Sequence, residues 1–288
     1  MAISIVLNDT DPFDTDAAAN WIQSTIDADM AETNELYGAA FEAESRLAEE
    51  MEHRARQEGS HPEGPHTDSL MEIHNRMSET LDLQNQMEPV TLEHLRDWGV
   101  MTLPLPAGVS YVKRPAYSAE AEEQKDQGTG MSFADRGSGR MRLRFETGGL
   151  TDWEWARCSL GQTFTARKDN PALSPTFDFR LVSDFVTAWG FFCNADVELD
   201  IDIHTFNVTQ NKNWRRRRQI GRVVNTWIGM VGQTFRLRPL FSESGVGEAN
   251  AGDTLIVTAT LTGRAKSPTG RAGMNVNLDL LRISIAGV

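Results

Sequence analysis

Apolar and polar residues follow two different periods along this chain, and the change falls between residues 100 and 140. From Asp14 to Gln57 there is no proline, and Gly38 is the only glycine. Ile22, Ile26, Met30, Tyr37 and Phe41 recur near the helical repeat, and Leu47 and Met51 continue the stripe. Asp14, Thr15 and Asp16 supply N-cap candidates and put negative charge where a helix dipole favours it. The pattern predicts an amphipathic helix from Ala17 to Gln57, about 60 Å long if unbroken. A strict heptad phased on Ile22 and Ile26 places Asp29, Thr33, Glu50 and Arg54 at core positions, which argues against a regular coiled coil. Gly59 to Pro65, with two prolines and two glycines, interrupts the pattern. A second helix is expected after Thr67 or Asp68, with Leu70, Ile73, Met77 and Leu81 on one face. A short third one is expected from Leu92 to Trp98, between an N-cap at Thr91 and Gly99. Helices this poor in large apolar residues are marginal alone, so their stripes are expected to bury against another subunit or another protein.

Leu103-Pro104-Leu105-Pro106 reads as extended, because a residue before proline is pushed out of the helical region. Ser118 to Arg140 is acidic, then rich in glycine and serine, and reads as a mobile linker or long loop. From Met141 the period becomes two. Met141, Leu143 and Phe145 alternate with arginines, Trp153 alternates with Trp155, and Phe177 with Phe179. Val197, Leu199, Ile201 and Ile203 interleave with Asp196, Glu198, Asp200 and Asp202. Further strands are expected at Thr163–Ala166, Phe185–Phe192, Val223–Met230, Phe235–Leu240, Thr254–Thr262 and Val276–Ile285. Many short strands mean a β-sandwich or barrel, a jelly roll fitting the count best, and without a fixed repeat a propeller or solenoid is not expected. The expected fold class is α+β, an N-terminal helical region followed by a C-terminal antiparallel β-sandwich of jelly-roll type. The expected division is an anchor peptide (1–15), an acidic helical region (16–99), an extended linker (100–139) and a sandwich (140–288).

Composition narrows the class. With 288 residues, 40% of them hydrophobic and 24% charged, the chain can build a core and is not a wholly disordered protein. No run approaches the roughly 18 apolar residues of a membrane span. The apolar start Ala2–Leu7 has no basic flank and meets Asp9, Asp11, Asp14 and Asp16, so it does not read as a secretory signal. Cys158 and Cys193 are too few for a disulfide framework or a four-cysteine zinc site; one bridge or two free thiols in a reducing cytoplasm both remain open. The net charge of −13 is unevenly held: residues 1–100 carry 22 acidic and five basic side chains, and residues 101–288 are net +4. Such a split marks modules with different surroundings, and it makes nucleic acid an unlikely partner for the acidic part, which phosphates would repel.

Two constellations could carry chemistry. Asp196, Glu198, Asp200 and Asp202 stand about 7 Å apart along one strand face. Paired carboxylates of a glycosidase, part of a calcium site, or a solvated face opposed by the ladder Arg140, Arg142 and Arg144 all fit that spacing. Trp214 with Arg215, Arg216, Arg217 and Arg218 reads as an exposed hairpin loop, either contacting acidic residues of a neighbouring chain or holding an anionic ligand. Trp153, Trp155, Trp189 and Trp227 could line a sugar site, although alternating aromatics in strands are mostly core. His53, His61, His66, His74 and His94 lack metal-binding spacing and read as surface histidines. Nucleophile-elbow, phosphate-loop and zinc-protease motifs are absent from the sequence, so no catalytic, cofactor or metal residue is assigned, and neither an enzyme nor a bound cofactor is expected.

The order of parts, from AISIVLNDTDPFDTD through acidic helices and a linker to a sandwich ending at Val288, resembles the head fibres, spikes and collar proteins of tailed-phage virions. The resemblance lies in architecture alone. It implies a non-enzymatic virion component, made in the host cytoplasm, whose N-terminal part docks to capsid or collar and whose β domain is displayed or oligomerises. The partners it implies are copies of itself, a trimer being favoured, and other virion proteins. The alternative reading is a carbohydrate- or receptor-binding module on a host surface glycan, and after it a glycan-cleaving enzyme.

Overall fold

The computed structural model describes residues 2–6, 19–35, 46, 109–112, 115, 117–123, 129–147, 152–190, 195–225, 229–235, 237–267 and 270–286. Fifteen strands and one helix of length, α1 (19–35), occur among them. In chain order the first strands are β1 (Ala2–Val6), β2 (Val109–Val112), β3 (Tyr117–Glu123), β4 (Thr129–Asp135) and β5 (Arg140–Glu146). Next come β6 (Asp152–Thr165), β7 (Asn170–Leu173), β8 (Thr176–Gly190), β9 (Ala195–Asn207) and β10 (Lys212–Asn225). The last are β11 (Gly229–Gln233), β12 (Leu240–Ser244), β13 (Gly247–Ala249), β14 (Thr254–Ser267) and β15 (Gly270–Ala286).

These strands form an antiparallel sandwich. One sheet has six strands in the order β1-β3-β6-β14-β9-β10. The other has seven: β11-β8-β15-β5-β4 along its path, with β12 also paired to β8 and β2 to β15. A small third sheet pairs β13 with β7. Alternation decides what faces the core. From the six-stranded sheet come Ala156, Cys158 and Leu160, Val197 to Ile203 at every second position, and Leu255, Val257, Ala259 and Leu261. Met141, Leu143, Phe145, Phe177, Phe179, Met274, Val276 and Leu278 answer from the other sheet. Each large side chain buried here contributes roughly 1.5–3 kcal/mol.

Several expectations change. Within 100–139, expected to be an extended linker, lie β2, β3 and β4, all paired into the sandwich. The glycines and serine before Arg140 are turn chemistry. Asp135 accepts hydrogen bonds from the backbone N–H of Gly137 (2.8 Å) and from the Ser138 hydroxyl (2.6 Å), and Gly139 closes the turn at φ +78°. The N-terminal peptide is also built in, since β1 pairs antiparallel with β3. Segments read as separate strands at 153–155 and 163–166 belong largely to the single 14-residue β6, and those at 177–179 and 185–192 largely to the 15-residue β8. Of the long helix expected over 17–57, the described residues hold α1 and the helical residue 46; the second and third helices fall outside them. No helix among the described residues is long and apolar enough to cross a membrane.

Candidate functional site

The same period that sends Val197, Leu199, Ile201 and Ile203 into the core turns Asp196, Glu198, Asp200 and Asp202 outward from β9. Their expected opposition to Arg140, Arg142 and Arg144 is not formed, because β5 belongs to the other sheet and the core lies between. Alternation could show that each set occupies one face of a strand, but it carries no information on which strands are neighbours.

The ladder instead meets the arginine run. Arg215 to Arg218 lie in β10, hydrogen-bonded along β9, and not in a hairpin loop. Arg215 and Arg217 face outward with the carboxylates. Arg215 grips Asp202 at both oxygens, Nε to Oδ1 at 2.8 Å and Nη2 to Oδ2 at 3.1 Å. The Nε of Arg217 lies 3.3 Å from Asp202 and 3.6 Å from Asp200. Arg222 grips Asp196 in the same two-pronged way, at 3.2 and 2.6 Å, and reaches Glu198 at 3.2 Å. Arg216 and Arg218 point to the rim, toward the Ser244 carbonyl and the Glu243 carboxylate. Trp214 stands partly exposed on the same strand, opposite Thr205. β10 is an edge strand, and four consecutive arginines with a bulge after Gln219 make that edge a poor template for another strand. At the bulge Gly221 has no side chain because the Phe235 ring occupies the place; an added Cβ would lie 2.2 Å from it.

Helix α1 roofs this face. Its buried positions are Trp21, Ile22, Thr25, Ile26, Asp29 and Thr33, one helical side. Asp29 and Thr33, the residues that break the heptad, therefore belong to the contact surface. The Asp29 carboxylate meets Arg215 at 2.6 Å, Arg157 at 3.4 Å and Arg217 at 3.6 Å. Glu32 pairs with Arg215 and Arg217. The Thr25 hydroxyl accepts from Arg157 at 3.0 Å, and the Thr33 hydroxyl accepts from Arg264 at 3.0 Å. Arg264 also holds Asp200 at 2.6 Å. Four arginines (157, 215, 217 and 264) thus face four carboxylates (29, 32, 200 and 202), and the layer is neutral as a set. Of the stripe expected to seek another subunit, Ile22 and Ile26 are buried within their own chain, and Tyr37, Phe41, Leu47 and Met51 lie outside the described residues.

The electrostatics follow from this packing. Burial works to raise the Asp202 carboxyl, but the hydrogen bond and charge of Arg215 and the charge of Arg217 outweigh it and hold the group below the usual carboxylate range. Such a group is a counter-ion and not a proton donor. His204, 2% exposed and next along the ladder, is pushed down to about 3 by burial first and by Arg157 second, so it is neutral at pH 7. The edge of Trp21 covers it at 5.9 Å, and Trp21 stacks on Phe206 at 5.2 Å. Cys158 is an unpaired thiol of the core, with its ionisation pushed far up by burial and then by Glu120. Calcium would need six to eight converging oxygens, and the guanidinium groups already engage those of Asp196, Asp200 and Asp202. Among the described residues no group of three or more His, Cys, Asp or Glu is placed to hold a metal. Trp153 and Trp155 are buried at outward positions of β6. Trp227, Cys193 and the five histidines from His53 to His94 lie outside the described residues. The sequence reading missed Arg157 and Arg264; the signal available was an arginine at an outward position next to serine or threonine, Ser159 in β6 and Thr258, Thr260 and Thr262 in β14.

No known family matches this sequence, and no curated protein matches it significantly. Among solved structures, the enzymatically active domain of the bacteriophage CBA120 tailspike protein 4 aligns with 60% of this chain and 19% of its own, at 8% identity and a TM-score of 0.21. The module TmCBM61, solved with β-1,4-galactotriose, aligns over 53% of this chain and 88% of its own, at 8% identity and a TM-score of 0.20. A family 35 carbohydrate-binding module from Clostridium thermocellum aligns over 59% and 98%, at 10% identity and a TM-score of 0.20. Likeness this loose carries no argument about the present chain.

Proposed function

We propose that the protein is a non-enzymatic structural component of a virus particle, with a jelly-roll sandwich that is displayed or oligomerises. The observation that carries this reading is the neutral ionic layer under α1. Asp200 and Asp202, which could have served a glycan-cleaving reaction, are instead consumed in fastening a helix to a sheet. A retaining or inverting pair needs one carboxyl that keeps its proton near neutral pH, and Asp202 is held in the opposite direction. Because β1 and α1 are part of the sandwich, docking to capsid or collar falls to the acidic stretch between α1 and β2, whose charge suits a basic protein surface.

Light scattering on the purified full chain tests the assembly: a homo-oligomer, a trimer by expectation, supports it, and a monomer at every concentration sinks it. Reducing-end release from a panel of polysaccharides tests the absence of catalysis. Turnover that disappears in Asp200→Asn would reverse that part. A second reading is a carbohydrate- or receptor-binding module.

A further inference from the structure

The six-stranded sheet buries side chains on both of its sides, and the two burials are separate. Inward lies the core shared with the other sheet. Trp21, Ile22 and Ile26 of α1 are buried on the outward side, and none of them belongs to that core. An ionic layer and a short apolar strip therefore fasten α1 to the sandwich, and the helix can leave without opening the core. His204 lies inside this contact. On β9 it stands between Asp202 and Phe206, and register sets Arg215 of β10 on one side of it and Thr258 of β14 on the other. The Trp21 ring closes over it from α1. Neither Nδ1 nor Nε2 of this buried ring has a hydrogen-bonding partner. A neutral imidazole bears that position at modest cost, but an imidazolium has two N–H donors and needs an acceptor for each. The carboxylate two residues away, Asp202, is already held at both oxygens by Arg215. Among the described residues, the charged groups around His204 are Asp202 on β9, Arg215 and Arg217 on β10, and Arg157 on β6. β14 presents the uncharged Thr258 there. From α1 come Asp29, already shared by Arg157, Arg215 and Arg217, and Glu32, paired with the last two. A proton on His204 thus adds a fifth cation to a layer whose carboxylates are all engaged.

We infer that His204 is the acid-sensitive catch of α1: protonation of its imidazole releases the helix from the sheet while the sandwich stays folded. Docked under Trp21, the ring stays neutral down to about pH 3, whereas in the released state it meets solvent and takes a proton near the ordinary value of 6.5. Between those values the released state binds one proton more than the docked state. Acid therefore shifts the equilibrium toward release, by up to about tenfold per pH unit. Release also changes what the sheet presents. α1 carries Asp29 and Glu32 away, leaving Arg157, Arg215, Arg217, Arg264 and the imidazolium with Asp200 and Asp202. A neutral layer becomes a cationic surface.

Amide hydrogen exchange on the full chain, corrected for the pH dependence of intrinsic exchange and read by mass spectrometry, separates release from unfolding. Between pH 7 and 4.5 the amides of residues 19–35 should lose protection by about tenfold or more, while those of β14 (Thr254–Ser267) keep theirs. His204→Phe keeps an aromatic ring under Trp21 and cannot take the proton, so most of that loss should vanish. His204→Gln, smaller and neutral at both pH values, should do the same and serves if the phenyl ring does not fit. Trp21→Ala weakens the docking and should move half-release to higher pH. Equal protection of 19–35 at both pH values overturns the inference. So does a loss in β14 that keeps step with 19–35, which makes the acid effect global unfolding. An undiminished loss in both His204 variants overturns it too, and assigns the release to the carboxylates Asp29 and Glu32.

Discussion

The two outer faces of this sandwich are built from the same kind of strand and have opposite fates. Both alternate apolar residues inward with charged and amide residues outward. On the six-stranded sheet the outward charges are of both signs, interlocked between β9, β10 and β14, and covered by α1. On the seven-stranded sheet Asp279 holds Arg140 and Arg180, and Arg142, Arg144 and Asn277 are partly exposed. A polar strand face is therefore neither a solvated surface nor a site by itself. What covers it decides.

The helix teaches the complementary point. An amphipathic helix is expected to bury its apolar side, and Ile22 and Ile26 obey. Two of the most deeply buried positions of α1 are nevertheless Asp29 and Thr33, at 0 and 1% exposure, because the surface beneath them is lined with arginine. Heptad analysis scores those residues as defects. Against a cationic sheet they are the recognition elements, and a leucine at 29 would leave Arg157, Arg215 and Arg217 short of a counter-charge.

The contrast between the faces can be broken experimentally. The largest effect is expected for Arg264→Ala, which leaves the buried Asp200 without its closest partner; about 3–5 kcal/mol should be lost from the urea unfolding free energy. Trp21→Ala removes the ring that stacks on Phe206 and caps His204 and should cost about 3 kcal/mol. Chemical denaturation would show it as a lower midpoint.

Acidification should act on the roofed face as well. The folded state holds His204 neutral down to about pH 3, while the unfolded chain protonates it below about 6.5, so stability falls as pH drops through that window. Asp202, held low in the folded state, adds a loss in the same direction at the acid end. Together these amount to something on the order of a few kcal/mol, readable as a declining urea midpoint between pH 7 and 4 that His204→Phe flattens in its upper part. The smallest effect belongs to the other face: Arg142→Gln, at a partly exposed position, should shift stability by less than about 1 kcal/mol. A stability loss equal to that of Arg264→Ala would erase the distinction between the faces.

Local pattern alone carried much of this molecule. The switch of period near residue 140 marks the strands from β5 onward, the alternation of β9 separates Ile201 from Asp202, and the spacing of Ile22 and Ile26 marks α1. It failed where glycine and serine serve a turn, as in the β4–β5 hairpin, and where a run of arginines resembles a loop while forming an edge strand. Tertiary structure alone decided the partners. Arg157 meets Thr25 across 132 positions and Arg264 meets Thr33 across 231, and no feature within either segment names the other. Side-chain alternation is a property of one strand and is written locally. Which strands become neighbours, and which helix closes over them, depends on the packing of the whole chain around one core.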